Sequence, residues 1–439
     1  MNAPRFNRRQ FVAATSVGSL ASLAANPPAT PAATRKSAAK LAIEGGTPVR
    51  SKGWPGWPLW DPQEDEAQVL SVLRSGVWSR SRVVSDFEKK WAELNGAKRC
   101  LATTHGTTAL ITALDALEIG VGDEVLVGPY TFVASISVIF LAGALPIMVD
   151  TDPETFLINP EKLEEKITPQ TKAILPVHIY GLPADMDRIN AIAKEYNLLV
   201  LEDACQAWLA ELHGDKCGTL GDLGCFSFQN SKHLTCGEGG AILGDDDRVM
   251  DRAVSYHNFG RGGPYLGSKC RMTEFQAAIL LAQMQRLEEQ TQRRWENGRY
   301  LTERLQGIPG IIPHKLYEGV TRAVYHLYPF RFSAEQFNGA SRGRFMSALR
   351  EEGIPCSGGY GQLNKAPFIE NTLSSRNFRR MYSLRQLDHC REQIECPDND
   401  RLCSEAVCLS QRLLLGSRED MDDIANAIEK IAENRGQLA

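Results

Sequence analysis

Leu198-Leu199-Val200-Leu201-Glu202-Asp203-Ala204-Cys205-Gln206 decides the fold. Its apolar run reads as a strand buried on both faces, and two carboxylates close it. Parallel α/β sheets bind ligands beyond the carboxyl ends of their strands, which is where Asp203 stands. A carboxylate buried there costs several kcal/mol unless a cation meets it. A protonated ring nitrogen is such a cation. Taken alone, Asp203 serves equally well as the cap of a following helix.

Downstream, Cys225-Phe226-Ser227-Phe228-Gln229-Asn230-Ser231-Lys232 runs into Gly237-Glu238-Gly239-Gly240. A lysine between an aromatic strand and a glycine-rich turn can lose its proton and act as a nucleophilic amine, although most lysines are merely solvated. It lies 29 residues after Asp203. Upstream, Thr103-Thr104-His105-Gly106-Thr107-Thr108-Ala109-Leu110 follows a strand and opens a helix. Free N–H groups and hydroxyls there form a phosphate seat, or simply a helix cap. In this order, the three elements can grip phosphate, ring nitrogen and aldehyde. Those are the three grips that pyridoxal phosphate requires.

Around these sites, short apolar runs alternate with helical stretches. Strands are expected at 99–103, 124–128, 145–150, 173–178, 198–202, 224–228 and 240–243. Helices are expected at 107–117, 131–141, 160–166 and 186–196. The alternation implies a mostly parallel sheet built by right-handed crossovers. After about Arg271 comes a long charged helix from Glu274 to about Arg304, then short strands and helices. We expect an α/β fold with three segments: residues 1–40 outside the fold, a large domain over 41–290 and a smaller α+β domain over 291–439.

The composition agrees with an enzyme acting on small molecules. Lys+Arg 49 against Asp+Glu 53 gives a net charge of −4 over 439 residues, without the clustered basic surface that nucleic acid requires. No apolar run is long enough to span a membrane. There is no P-loop, dinucleotide loop or nucleophile elbow. The 11 cysteines form no C-x-x-C pair and are read as packed thiols, with no metal assigned. Asn7-Arg8-Arg9-Gln10-Phe11-Val12 precedes a modestly apolar stretch and then prolines. This resembles a twin-arginine export leader; the alternative is a basic N-terminus on a cytoplasmic protein.

His105-Gly106-Thr107-Thr108-Ala109-Leu110, Pro129-Tyr130-Thr131-Phe132, Glu202-Asp203-Ala204-Cys205-Gln206-Ala207 and the Lys232 and Gly237-Glu238-Gly239-Gly240 segments stand in one order and spacing. In these the chain resembles the DegT/StrS-type aminotransferases of sugars and cyclitols. The opening Gly45-Gly46-Thr47-Pro48-Val49-Arg50 is similar to the branch holding scyllo-inosose aminotransferases and aminohydroxybenzoate synthases. The resemblance implies fold type I of the pyridoxal-phosphate-dependent transferases. It also implies a homodimer, an amino donor such as glutamine or glutamate, and a keto-sugar or keto-cyclitol acceptor.

Carried over residue by residue, the resemblance makes Lys232 the Schiff-base lysine and Asp203 the partner of the ring nitrogen. Gln206 would meet the ring 3-hydroxyl, Thr107, Thr108 and Ser227 the phosphate, and Phe132 the ring face. Relatives read G-x-N-Y-R-M-x-E, whose Asn reaches the neighbouring subunit's phosphate. Here Lys269 takes that place in Gly267-Ser268-Lys269-Cys270-Arg271-Met272-Thr273-Glu274. Family members that dehydrate sugars replace the lysine by His, which disfavours dehydration here. A synthase of the aminohydroxybenzoate type and a non-catalytic sensor that keeps the fold are the remaining alternatives. Acceptor choice is expected in loops 54–60, 256–266 and 357–368.

Overall fold

A computed structural model describes residues 40–438. The leader reading falls on residues outside this range. Seven strands build the central sheet: β1 (Arg99–Thr103), β2 (Glu124–Val127), β3 (Leu145–Met148), β4 (Thr171–Leu175), β5 (Leu199–Asp203), β8 (Leu223–Ser227) and β9 (Gly240–Gly244). The short pair β6 (Glu211–Leu212) and β7 (Asp215–Lys216) intervenes as a hairpin. The order is β1-β9-β8-β5-β4-β2-β3, parallel except for β9, which runs antiparallel to both neighbours. Strands β2, β3, β8 and β9 are buried at every residue, as a sheet covered on both faces requires.

Two helices precede the first strand, α1 (Pro62–Ser75) and α2 (Arg82–Asn95). Val84, Phe87 and Trp91 recur on one face of α2 and are fully buried. The two rings meet aromatic side chains of β8 and the residue just past it: Trp91 lies 5.2 Å from Phe226 and Phe87 5.4 Å from Phe228, both edge-on. Gly96, at φ 76°, ends the helix in the left-handed conformation that glycine adopts without cost.

Helices α3 (Gly106–Ala116), α4 (Val133–Leu141), α5 (Met186–Tyr196) and α6 (Asp247–His257) connect the strands, and α7 (Glu274–Leu305) follows. The expected helix over 160–166 instead forms two 3-10 turns, Pro160–Lys162 and Glu164–Lys166. So short a segment cannot offset helix nucleation, and Lys162 is drawn to Asp150 and Asp398 at 3.0 and 2.9 Å.

The boundary expected at 290 lies inside α7, an unbroken helix of 32 residues. Its first residue, Glu274, is buried and accepts N–H groups from Ser81, Val83 and Val84 at 2.7–3.0 Å, capping α2. Beyond α7, β10 (Ile311–Pro313), β12 (Leu327–Phe332) and β13 (Ala406–Ser410) form an antiparallel sheet, and β11 (Val320–Arg322) pairs with β6. Residues 41–50 pack against this later part. Glu352 accepts N–H groups from Ala42 and Val49 and holds Lys430, while Arg50 pairs with Asp420 and Asp423, both at 2.7 Å.

Inside the sheet, Glu202 is fully buried and completely satisfied. It accepts N–H groups from Gly218, Leu220 and Gly221 at 2.6–2.7 Å and meets His178 Nε2 at 2.8 Å. His178 Nδ1 accepts the Ala184 N–H at 3.0 Å, so the ring is neutral and donates its Nε2 proton to the carboxylate. We predict that Glu202→Ala, which strands four donors in the core, costs about 3–5 kcal/mol in urea unfolding. A loss below about 1 kcal/mol would contradict this account.

Candidate active site

A cavity of about 580 Å³ opens beyond the carboxyl ends of β5 and β8. Asp203, Gln206, Ser227, Lys232, Thr107 and Phe132 all line it, although they span more than a hundred residues of sequence. Thr108 and Lys269, the other two residues assigned from sequence, do not line it.

Asp203 ends β5 and is 5% exposed. Its Oδ2 accepts the Ser135 hydroxyl at 2.7 Å, and its Oδ1 accepts the Cys205 N–H at 3.1 Å. Thr131 Oγ1 lies 2.8 Å from Ser135 Oγ and steadies it. No cationic side chain among the described residues comes within 4 Å of the Asp203 carboxylate. A buried carboxylate served only by neutral donors is the complement of a protonated ring nitrogen. No helix follows Asp203 for it to cap: the chain turns through 204–210 before the next strand.

Lys232 follows β8 on a turn closed by its own N–H to Gln229 O at 2.9 Å. Its Nζ sits 5.8 Å from the Trp208 ring centre and lines the cavity. Burial lowers the ammonium from its ordinary value, and the Asp203 carboxylate pulls the other way. An amine so placed can shed its proton and act as nucleophile and base.

The first turn of α3 points its N–H groups at the same space. Gly106 is required there. A Cβ at this position would come 2.7 Å from Ser227 Cβ and 2.9 Å from Cys205 Sγ, forcing the helix off the strand ends. Thr107 faces the cavity. The Thr108 hydroxyl does not: it accepts the His105 N–H at 3.0 Å and donates to His105 O at 2.8 Å. It caps the helix, which corrects its assignment as a phosphate-facing hydroxyl. Phe132 is 54% exposed at the start of α4, a ring face offered to the cavity rather than a core residue.

Gln206 is held at both ends. Its Oε1 accepts the Tyr180 N–H at 2.9 Å, and its Nε2 donates to Tyr360 OH at 2.8 Å, leaving one amide hydrogen free. Tyr360 comes from the 357–368 loop and stacks on Tyr180 with ring centres 5.5 Å apart. Of the three loops expected to choose the acceptor, this one reaches the cavity. Lys269 is exposed, with its backbone bridged to Asn258. Ser135, Tyr360, His326 and Trp208 border the site and were not singled out from sequence. Ser135 lies in the first turn of α4, and Thr131, just ahead of the helix cap, meets it through their hydroxyls.

Among the described residues, no group of three or more His, Cys, Asp or Glu could hold a metal ion, and all 11 cysteines are unpaired thiols. No described helix is long and apolar enough to cross a membrane.

An enclosed lysine, an unpaired carboxylate at a strand end, a helix N-terminus and an aromatic face converge on one cavity. Together with the fold, they define a pyridoxal-phosphate-dependent aminotransferase. The chain belongs to the DegT/DnrJ/EryC1/StrS aminotransferase family, whose model matches residues 61–429. It is 35% identical over 428 residues to L-glutamine:2-deoxy-scyllo-inosose aminotransferase of Streptoalloteichus tenebrarius, covering 91% of this chain and 99% of that one. The enzyme of the same name from Streptomyces kanamyceticus is 34% identical over 425 residues, covering 91% and 98%. Among solved structures, 3-amino-5-hydroxybenzoic acid synthase matches with TM-score 0.76 at 30% identity, over 89% of this chain and 100% of that one. An aminotransferase from Psychrobacter cryohalolentis matches with TM-score 0.74 at 27% identity, over 88% and 100%.

Two substitutions test the site. Lys232→Ala should abolish transamination while the protein stays folded and holds the cofactor noncovalently. Turnover within tenfold of the parent would remove Lys232 from the chemistry. Asp203→Asn should cut turnover by several orders of magnitude, with a smaller effect on cofactor affinity, because an amide cannot hold the ring proton. Steady-state rates and cofactor titrations read both.

Proposed function

We propose that this enzyme moves the amino group of glutamine or glutamate onto a keto-cyclitol of the 2-deoxy-scyllo-inosose class. The names of its relatives at 34–35% identity supply the substrate class. The observation that carries the chemistry is Lys232 near an Asp203 carboxylate that no cationic side chain touches. In this reading, Asp203 holds the ring nitrogen, Gln206 the 3-hydroxyl and Phe132 the ring face. Thr107, Ser227 and the α3 amides hold the phosphate. Bound pyridoxal phosphate supplies an electron sink that loosens a proton on the carbon bearing the amine. The Lys232 amine, with its pKa lowered by burial, takes that proton and returns it nearby. Tyr360, tethered to Gln206, closes the side from which the acceptor enters.

A second reading has one observation in its favour, the likeness to 3-amino-5-hydroxybenzoic acid synthase at 30% identity. Its cofactor contacts would be the same, so product analysis must separate the two. Incubation with glutamine and a panel of keto-sugars and inososes should give an amino-cyclitol by mass spectrometry. A carboxylated amino-cyclohexenone, added to the panel, can become an aromatic amino acid by loss of water; turnover of that compound alone would favour the second reading.

We further propose a homodimer in which Lys269 reaches the partner's cofactor phosphate. Its exposure outside its own cavity supports this, as do the exposed Phe259 and Leu266 in the same segment. Lys269→Ala should then weaken cofactor binding about 10- to 150-fold in titrations of apo-protein, and Lys269→Asn should recover much of that loss. Equal affinities for parent and Lys269→Ala would end the proposal. We also propose export through a twin-arginine leader, resting on Arg8-Arg9 and the apolar stretch that follows. Replacing both arginines by lysine should hold the full chain in the cytoplasm on fractionation. An unchanged distribution would speak for the cytoplasmic alternative.

A further inference from the structure

Arg294, near the middle of α7, is fully enclosed and has no carboxylate partner among the described residues. Its Nε and Nη2 donate to Gln411 Oε1 at 2.9 and 2.6 Å, and its Nη1 has no partner. Burial alone pulls this guanidinium down to about 9. The Trp57 ring lies 5.1 Å from its central carbon, and the indole N–H is likewise buried and unpartnered.

Two histidines that feel the Arg294 charge lie toward the active-site cavity. His233 adjoins Lys232 in sequence, is 2% exposed and faces the Tyr325 backbone without a well-formed hydrogen bond at either ring nitrogen. His326, on the segment leading into β12, is 8% exposed, lines the cavity and has an unpartnered Nδ1. The two rings are 6.1 Å apart, and Trp208 packs against both at 5.1 and 5.9 Å. Burial, with Lys232 and Arg294 close by, pushes both imidazoles well below their ordinary values. They are therefore neutral, and each has one N–H to donate.

Polar groups without protein partners thus lie behind Lys232, and of these His326 lines the cavity. Buried polar groups in folded proteins are nearly always paired, and a buried charge without a counter-charge is costlier still. An anion is the partner these groups lack. We propose that His326, backed by Arg294, seats the α-carboxylate of the amino donor. The proposal rests on the reading that the donor is an amino acid. In such a donor, the carboxylate is bonded to the carbon whose proton Lys232 moves, so its seat must adjoin that lysine. His326 touches the carboxylate, while Arg294 is a positioning residue that supplies charge through the cluster. Bridging waters would satisfy the same groups without selecting a substrate, and the test separates the two.

The holoenzyme is assayed with L-glutamine and with 4-aminobutanamide, which is glutamine without its carboxylate. In His326→Phe, which keeps the ring shape and loses the donor, KM for glutamine should rise about 10- to 100-fold, with a smaller change in kcat. Preference for glutamine over 4-aminobutanamide should collapse at least tenfold, and His326→Gln should restore part of it. Calorimetry with 4-carbamoylbutanoate, glutamine without its amine, should show at least tenfold weaker binding in His326→Phe. Arg294→Met should follow the same pattern, with its folding checked by Tm; if it does not fold, the His326 pair decides alone. Unchanged preference and unchanged 4-carbamoylbutanoate affinity would overturn the proposal. A parent enzyme that draws no amine from glutamine or glutamate fails the donor reading itself, a result seen before any variant is made.

Discussion

The buried Glu202 carboxylate is the interaction on which the site depends. Its oxygens hold the Gly218–Gly221 turn on one side and the His178 ring on the other. The turn feeds β8, which delivers Ser227 and Lys232, while the His178 segment leads to Tyr180, the partner of Gln206. A charge in a low-dielectric interior tolerates little displacement once its donors are fixed. Asp203 is the next residue along, so the same constraint fixes the carboxylate that faces the cavity. One side chain sets the frame and its neighbour faces the cavity.

Around the cavity, charge is left deliberately unbalanced. Asp203 has neutral donors and no cation, and Arg294 has a neutral acceptor and no anion. In the proposed reading, each imbalance is relieved by a ligand of opposite charge. Binding free energy and orientation therefore come from the same groups. A site built this way prefers dipolar ligands over apolar ones of equal size.

Much of this was legible in sequence because it is local. Strands β1 and β5 and helices α3, α5 and α7 follow from apolar spacing with clear caps. The order of a Thr-rich helix start, a strand-end Asp and a Lys pointed to the cofactor. The Thr108 hydroxyl was misassigned because capping and phosphate binding ask for the same residue at the same place, and only geometry separates them. Gln206, Tyr360 and Tyr180 form one unit from segments up to 180 residues apart, and no spacing rule encodes that meeting. The same holds for Arg294 and Gln411, 117 residues apart. The helices α1 and α2 lie before the first strand, where Val84, Phe87 and Trp91 carried a helical period that a search beginning at the sheet passes over.

The docking of residues 41–50 has a consequence for how the chain is made. Leu41, Ala42, Val49 and Arg50 find their partners at Gln437, Glu352 and Asp420, between 303 and 396 residues away. On a ribosome, this segment emerges long before Glu352, and longer still before Asp420 and Gln437. Its docking is therefore a late folding event, gated by the emergence of these distant partners rather than by any local step.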